Sequence, residues 1–597
     1  MGGGLLNLVA YGNQNIILNG NPSKTFFKCT YAKYTNFGLQ KFRIDYNGLR
    51  TLRMTEPSVF TFKVPRYADL LMDTYLVVNL PTIWSPIRPD CSGADLLWYP
   101  YDFKWIENIG TQMIKRVRFS IGGQVIQEFT GQYLYNLVER DFESAKKDLY
   151  YKMTGNIPEL NDPANALGRG GHYPNAYKYT TDEADYQKYG PEPSIRGRQL
   201  YIPLNIWFTL AAKMAFPLVS LQYQEFYIEV EIRPVNELFT VNIVEPVEGG
   251  PTVYSGVGYN LPPPSTHHQP NFNILNYQFY RFLQPPPDLS LNDKSYTDMR
   301  TDWNADVHLL STYAFLSDEE VRVFAGQPQQ YLIRDVHEYE FENVTGSKRV
   351  ELRSSYGMVS NWMWYFQRSD AYLRNEWSNY TNWDYNNVLP LLTSTYYQDQ
   401  TNVPKFDFTE TCPPPPLGTT GMLNPYQEYI ATVTTSSAPY QQTGYHITGQ
   451  YNPDSVKPIM ETWGLLFDGK YRENKLSSGV FSYVEKYANS SGCSPDGLYC
   501  YNFCLNTSPF DFQPSGAINL SKFTKIEFEF TTYTPPLNPN AQQNLICSKD
   551  SEGNHSIIGV NKPTWRIYDY NYNLTVMEER YNILTFKSGN AGLMYAR

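Results

Sequence analysis

Few residues in this 597-residue chain have the types and spacings that do chemistry. Its seven histidines are scattered, and only His267 and His268 adjoin. They lie in a Pro-rich stretch with no cysteine or carboxylate at ligand spacing, so they read as ordinary loop residues rather than a metal site. Cys493, Cys500 and Cys504 cluster. The even spacing of the last two, on one strand, points both to one face, which favours a buried pair of thiols over a metal site or a disulfide. Lys24-Thr25 follows Gly20, but no glycine directly precedes Lys24, so the phosphate cradle of a P-loop is missing. Gly256-Val257-Gly258 has no strand–helix–strand unit around it. No Ser/His/Asp set and no pair of carboxylates stands out. The expectation is a protein that is not an enzyme, with no cofactor and no metal.

One cluster could still recognise a ligand. Trp362, Trp364, Trp377 and Trp383 occur with Tyr372, Tyr380 and Tyr385. Trp362 and Trp364 alternate in a strand-like run and read as core or assembly packing. Trp377, Tyr380 and Trp383 stand among Asn379, Asn382 and Asn386, and aromatic faces with amides can stack on sugars. These three are the candidate glycan contacts.

The elements that would carry these residues are strands. Charged residues are 18% of the chain and aromatics 16%, with Tyr 51, Pro 42 and Gly 39. That mixture suits strands joined by long loops. The net charge of −10 and the lack of any long Lys/Arg run argue against direct nucleic-acid binding. The N-terminus lacks the basic and apolar regions of a signal peptide, and scattered cysteines fit a reducing compartment.

About eight strand-like runs occur in each half of the chain. Leu71–Leu80 is nearly continuous in apolar residues, and Phe226, Ile228, Val230 and Ile232 alternate with polar neighbours. Gly122-Gly123 and Asp468-Gly469 sit between alternating runs as hairpin turns. Gly131–Met153 has helical spacing, and the final strands are expected at Arg566–Met577 and Ile583–Phe586. Ile526-Glu527-Phe528-Glu529-Phe530 repeats the pattern of Ile228-Glu229-Val230-Glu231-Ile232. Between the halves, Asp318 to Phe324 reads as a short helix, capped by Ser317 and stopped by Gly326 and Pro328. The reading is all-β: two tandem eight-stranded jelly rolls with long loop insertions and a few short helices. Residues 1–26 form an arm, 27–316 the first roll, 317–330 the linker helix, and 331–597 the second roll with a 368–458 insertion. Asp318, Val321, Phe324, Gly326 and Pro328 are the linker residues, read as a rigid spacer between the rolls.

A series of short motifs runs through both halves: Gly3-Gly4-Leu5-Leu6-Asn7-Leu8-Val9-Ala10-Tyr11-Gly12, Gly20-Asn21-Pro22, Thr25-Phe26-Phe27-Lys28 and Tyr34-Thr35-Asn36-Phe37. It continues through Ser120-Ile121-Gly122-Gly123-Gln124, Pro217-Leu218-Val219-Ser220-Leu221-Gln222-Tyr223-Gln224-Glu225, Gln513-Pro514-Ser515-Gly516 and Tyr581-Asn582-Ile583-Leu584. Ser588-Gly589 and Gly592-Leu593-Met594-Tyr595-Ala596 close it. In these residues and their order the chain resembles the major capsid proteins of the nucleocytoplasmic large DNA viruses, of chlorella-virus, iridovirus and mimivirus type. The departures are long insertions at 234–303 and 368–458. The resemblance implies a homotrimer with six similar lateral faces, tiling an icosahedral shell with neighbouring capsomers. It implies a place in the virion, assembly in the host cytoplasm, the 368–458 insertion as an outer tower, and minor capsid proteins or an internal membrane layer as partners of the arm. The rivals are a carbohydrate-binding jelly-roll surface or fibre protein, and a minor or penton capsid protein.

Overall fold

The computed structural model describes residues 2–90, 97–169, 173–174, 192–242, 267–285, 296–300, 302–353, 355–386, 456–536, 544–549, 555–561 and 568–595. Most of the expected tower, 387–455, lies outside them. Sixteen strands form its frame. The first eight are β1 (Gly38–Asp45), β2 (Ser58–Lys63), β3 (Leu70–Leu80), β4 (Ile114–Ile121), β5 (Gln124–Thr130), β6 (Arg198–Pro203), β7 (Phe226–Ile232) and β8 (His308–Phe315). The second eight are β9 (Gln329–Phe341), β10 (Ser347–Glu351), β11 (Met358–Arg368), β12 (Met460–Phe467), β13 (Lys470–Ser477), β14 (Leu498–Asn502), β15 (Ile526–Thr532) and β16 (Tyr572–Lys587).

The first unit has sheets ordered β1-β8-β3-β6 and β2-β7-β4-β5. The second has β9-β16-β11-β14 and β10-β15-β12-β13. The two orders are the same, shifted by eight strands, and every ladder among these strands is antiparallel. Two four-stranded sheets connected in this sequence make a jelly roll, so the fold is a double jelly roll.

Local sequence explains the frame. In β7, Phe226, Ile228 and Val230 point inward and are buried, while Tyr227 and Glu229 between them are only half-buried. Between β4 and β5, Gly122 and Gly123 have φ of 55° and 85°, the two positive values a tight hairpin demands. Asp468 and Gly469 do the same between β12 and β13, with φ of 47° and 78°. The Asp468 carboxylate also accepts from the backbone N–H groups of Thr524 and Lys525, each at 2.9 Å, so an acidic residue tolerates the left-handed position.

Three expectations change. The helical stretch 131–153 is two helices, α1 (Gly131–Asp141) and α2 (Ser144–Thr154), broken where Phe142 turns extended and caps the first. The last two expected strands are one, β16, whose 16 residues run the length of β9. The linker helix α3 (Asp318–Gly326) exists, but Ser317 makes no side-chain cap; only its carbonyl accepts, from Val321 N at 2.9 Å.

The chain crosses each unit back and forth, so its connections alternate between two ends. The turns at 64–69, 122–123, 352–357 and 468–469 leave from one end. The connections 81–113, 131–197, 233–307, 369–459, 478–497 and 533–571 leave from the other. Those of the two units meet there: Asn375 Nδ2 donates to the carbonyls of Asn236 and Phe239, each at 2.8 Å, and Gln269 N donates to Leu373 O at 2.8 Å. The second unit has its own aromatic core, where Trp364 stacks on Trp463 at 4.7 Å and Trp362 meets Phe528 edge-on. The first unit's core does not stop at its boundary. It continues into Ile333, Val336, Met363, Tyr365, Met577, Leu584 and Phe586 of the second unit.

Candidate functional site at the seam between the units

The continuous core marks the seam as the part of the molecule with the most unusual chemistry. On the first unit's side it is built by β5 and α1. Thr130 caps α1, its hydroxyl accepting from Tyr133 N at 3.2 Å. All residues of α1 are buried, because the helix lies on the second unit rather than facing water. On the other side are β9, β11 and β16.

At the centre, Arg140 is fully buried. Its guanidinium grips the adjacent Asp141 carboxylate (Nη2–Oδ2 2.7 Å), donates to Asn361 Oδ1 at 2.8 Å and to Glu579 Oε1 at 3.0 Å. Glu579 also accepts from Tyr133 at 2.9 Å and from Asn361 Nδ2 at 2.7 Å, and Arg334 stands 3.8 Å away. Thr507 donates to Asp141 at 2.5 Å. Two arginines thus balance two carboxylates, with the remaining lone pairs filled by neutral donors. That is the condition under which buried charge is tolerated. Burial alone would raise the Glu579 pKa, but Arg140 and Arg334 outweigh it and hold the carboxyl below its ordinary value. The residues come from 133–141, 334, 361, 507 and 579, so the cluster exists only when both units are docked.

A second polar contact lies along the strands. Gln127 Nε2 donates to Arg334 O at 2.8 Å, and the Thr130 amide and hydroxyl donate to Glu338 Oε1 at 3.1 and 2.9 Å. Removal from water pushes Glu338 up to about 7, against these two donors and with Glu340 and Glu128 adding to the rise. The side chains of β5 and β9 make this contact; no backbone ladder joins them.

The glycan candidates fall into the same seam. Tyr380 is 1% exposed, stacked on Tyr365 at 4.1 Å, with its hydroxyl donating to Gln132 Oε1 at 2.5 Å and accepting from Asn136 at 3.2 Å. It is a core residue, not a platform for sugar. Trp377 is half-buried; its indole donates to Glu237 O at 3.0 Å and Arg233 covers its ring at 4.1 Å. Trp383 is half-buried, with the Lys457 ammonium 5.4 Å from the centre of its ring. The three do not form one surface.

The linker residues lie apart from the cluster. α3 has no buried residue; Val321 and Phe324 are half-buried and Gly326 and Pro328 exposed. Its attachment to the first unit includes Ser220 Oγ donating to Phe324 O at 2.9 Å. Cys500 and Cys504 are both buried free thiols, with burial raising the first to about 11. β14 ends at Asn502, so the two do not share a strand. Among the described residues, no group of three His, Cys, Asp or Glu is placed to hold a metal, and no helix is long and apolar enough to cross a membrane.

Sequence reasoning passed over Arg140, Asn361 and Glu579. The signal was present: Glu578-Glu579-Arg580 interrupts an apolar strand, and Arg140-Asp141 interrupts an apolar helix face. Charge in the middle of a buried pattern asks for a partner of opposite sign elsewhere.

Comparison with known proteins follows the same division. Residues 25–276 match the family model described as the major capsid protein N-terminus, and residues 320–592 match that of the large eukaryotic DNA virus major capsid protein. The major capsid protein of Phaeocystis pouchetii virus is 25% identical, and that of Paramecium bursaria Chlorella virus 1 is 23% identical; both alignments span 100% of each chain. Among solved structures, PBCV-1 VP54 aligns over 96% of this chain and 100% of its own, at 17% identity and a TM-score of 0.54. The Faustovirus major capsid protein aligns over 94% and 93%, at 13% identity and a TM-score of 0.55.

Proposed function

Because the chain belongs to the major capsid proteins of large eukaryotic DNA viruses, and is therefore a structural component of the virion capsid, we propose that it acts as a homotrimer with pseudo-hexagonal outline. Three copies of a two-unit chain about a three-fold axis present six similar lateral faces, which pack hexagonally in a shell without identical bonding. The observation that carries this reading is the repeated strand order, locked by one continuous core and a neutral buried ion cluster. A capsomer needs units of fixed relative orientation, and a seam of this kind supplies it.

The other expectations follow from this reading. The seam and the neutral ion cluster perform no reaction; the protein works by assembly. It is made and assembled in the host cytoplasm. Its long connections, gathered at one end, form the outer surface with the 368–458 insertion as a tower. The N-terminal segment is the inward contact: Leu8, Ile17, Leu18, Phe26 and Phe27 are 76–99% exposed, an apolar arm suited to minor capsid proteins or an internal membrane layer. Asp318, Val321, Phe324, Gly326 and Pro328 carry the chain from one unit to the next. Light scattering on the purified chain tests the reading. A mass three times 69.0 kDa is expected; a monomer at all concentrations would refute it.

A further inference from the structure

At the end of the first unit that carries the long connections, two of those connections build a small sheet of their own. Its strands are Phe103–Trp105, Phe239–Asn242 and His267–His268, and the middle one pairs antiparallel with both others. Val241 stands opposite Phe103 on one side and His268 on the other. The next row is polar. Asn242 stands opposite His267, and its backbone N–H donates to the Asp102 carbonyl at 3.3 Å, which carries the ladder one residue further. Residues directly opposite in antiparallel strands point to the same side of the sheet. Asp102, Asn242 and His267 therefore share one face, opposite that on which Phe103, Trp105, Phe239 and Val241 join the core.

All three side chains are buried, at 3%, 4% and 6% exposure. Among the described residues, no group donates a hydrogen bond to Asp102 Oδ1 or Asn242 Oδ1. Lys104, two residues along the same face, holds its ammonium 3.5 Å from Asp162 instead. Taking a carboxylate out of water with neither donor nor cation beside it is very costly. Its neighbour across the ladder offers a second acceptor oxygen, so the two need a positive charge in common. The imidazole in the same row adds a nitrogen to these oxygens, a mixed set that suits a transition-metal ion.

We infer that Asp102, Asn242 and His267 form a site for a divalent cation of the first transition row, held through carboxylate oxygen, amide oxygen and imidazole nitrogen. One ligand is a His, one an Asp and the third an amide, so the set differs from a group of three His, Cys, Asp or Glu side chains. The local sequence hides it: no carboxylate stands near His267 in the chain, and the sheet brings Asp102 to that row. The ion ties the connections 81–113 and 233–307 together and so orders the ornate end of the first unit.

The full chain, stripped with EDTA and desalted, tests this by calorimetric titration with Mn2+ and, separately, Zn2+. One equivalent of at least one of these ions should bind per chain and raise the thermal midpoint. His267→Ala and Asp102→Asn should each weaken binding by at least about tenfold. His268→Ala, on the other face of its strand, should bind like the parent. Asp102→Asn removes the buried charge and keeps the shape, so it should fold without the ion and its midpoint should not respond to metal. Binding that survives both His267→Ala and Asp102→Asn, or that falls equally in His268→Ala, would be adventitious binding elsewhere and would overturn the assignment. No binding of either ion would overturn it too, in favour of a proton shared by Asp102 and Asn242.

Discussion

Two parts of this molecule join its halves, and they are built in opposite ways. The seam buries all of α1 and the whole of Arg140 and Glu579. The linker α3 has no fully buried residue, with Val321 and Phe324 only half-buried and Phe324 O accepting from Ser220. The covalent connection is therefore the weaker of the two. What fixes the angle between the units is complementarity of their surfaces: a continuous apolar core that favours docking, and a charge cluster satisfied in only one docked arrangement. The expected rigid spacer α3 has no buried residue, whereas the seam carries the buried contact between the units.

The sharpest way to break the comparison is to remove one charge from the seam. Arg140→Met leaves Glu579 and Asp141 buried without their shared partner, at a cost of about 3–5 kcal/mol. The urea midpoint of unfolding should fall steeply. Adding Glu579→Gln to Arg140→Met should recover part of the loss, since it removes the orphaned charge. If Arg140→Met alone costs no more than an average surface substitution, the cluster does not hold the seam.

A smaller effect is expected at Tyr380→Phe. It deletes a hydroxyl placed between Gln132 and Asn136 and keeps the stack on Tyr365. Leaving those two amides short of a partner should cost about 1–3 kcal/mol. The same substitution would be neutral for a tyrosine standing on the surface, so the urea midpoint separates a seam residue from a sugar platform.

The contrast between seam and linker also shows which features a sequence carries. Strand positions were legible where period-2 alternation and Gly-Gly or Asp-Gly turns coincide, as around Gly122 and Asp468. The repeat was legible because β7 and β15 keep one pattern at one place in the order. α3 was legible from its local start and stop signals, and those are silent about what a helix packs against. The break at Phe142 was lost because helical spacing continues through it. The joining of the last two strands was lost because Glu578 to Asn582 reads as a polar gap. Those polar residues are buried by partners hundreds of positions away in sequence, such as Tyr133 and Arg140, which no local pattern displays.

Acid and base should act on the seam in opposite directions. Glu579, held below its ordinary value of 4.5 by Arg140 and Arg334, contributes stability fully above pH 4.5 and loses it as pH falls through its folded value. Glu338 is raised to about 7 from 4.5, so its folded form binds more protons across that window. Its contribution is complete below 4.5, drains as pH rises and is gone above 7. Stability should peak between the two. Glu338→Gln, which cannot ionise, should flatten the decline between pH 5 and pH 8 in a series of thermal midpoints; an unchanged slope would assign that decline to other groups.

The smallest effect should come from the linker. Val321→Ser with Phe324→Ser removes apolar area from residues that are only half-buried, on a helix whose hydrogen bond from Ser220 of the first unit is accepted by the Phe324 backbone carbonyl. The carbonyl survives both substitutions. The unfolding midpoint should therefore shift by no more than about 1 kcal/mol, with trimer dissociation unchanged. A loss comparable with that of Arg140→Met would reverse the comparison: the helix would then set the docking of the two units, and the seam would merely follow it.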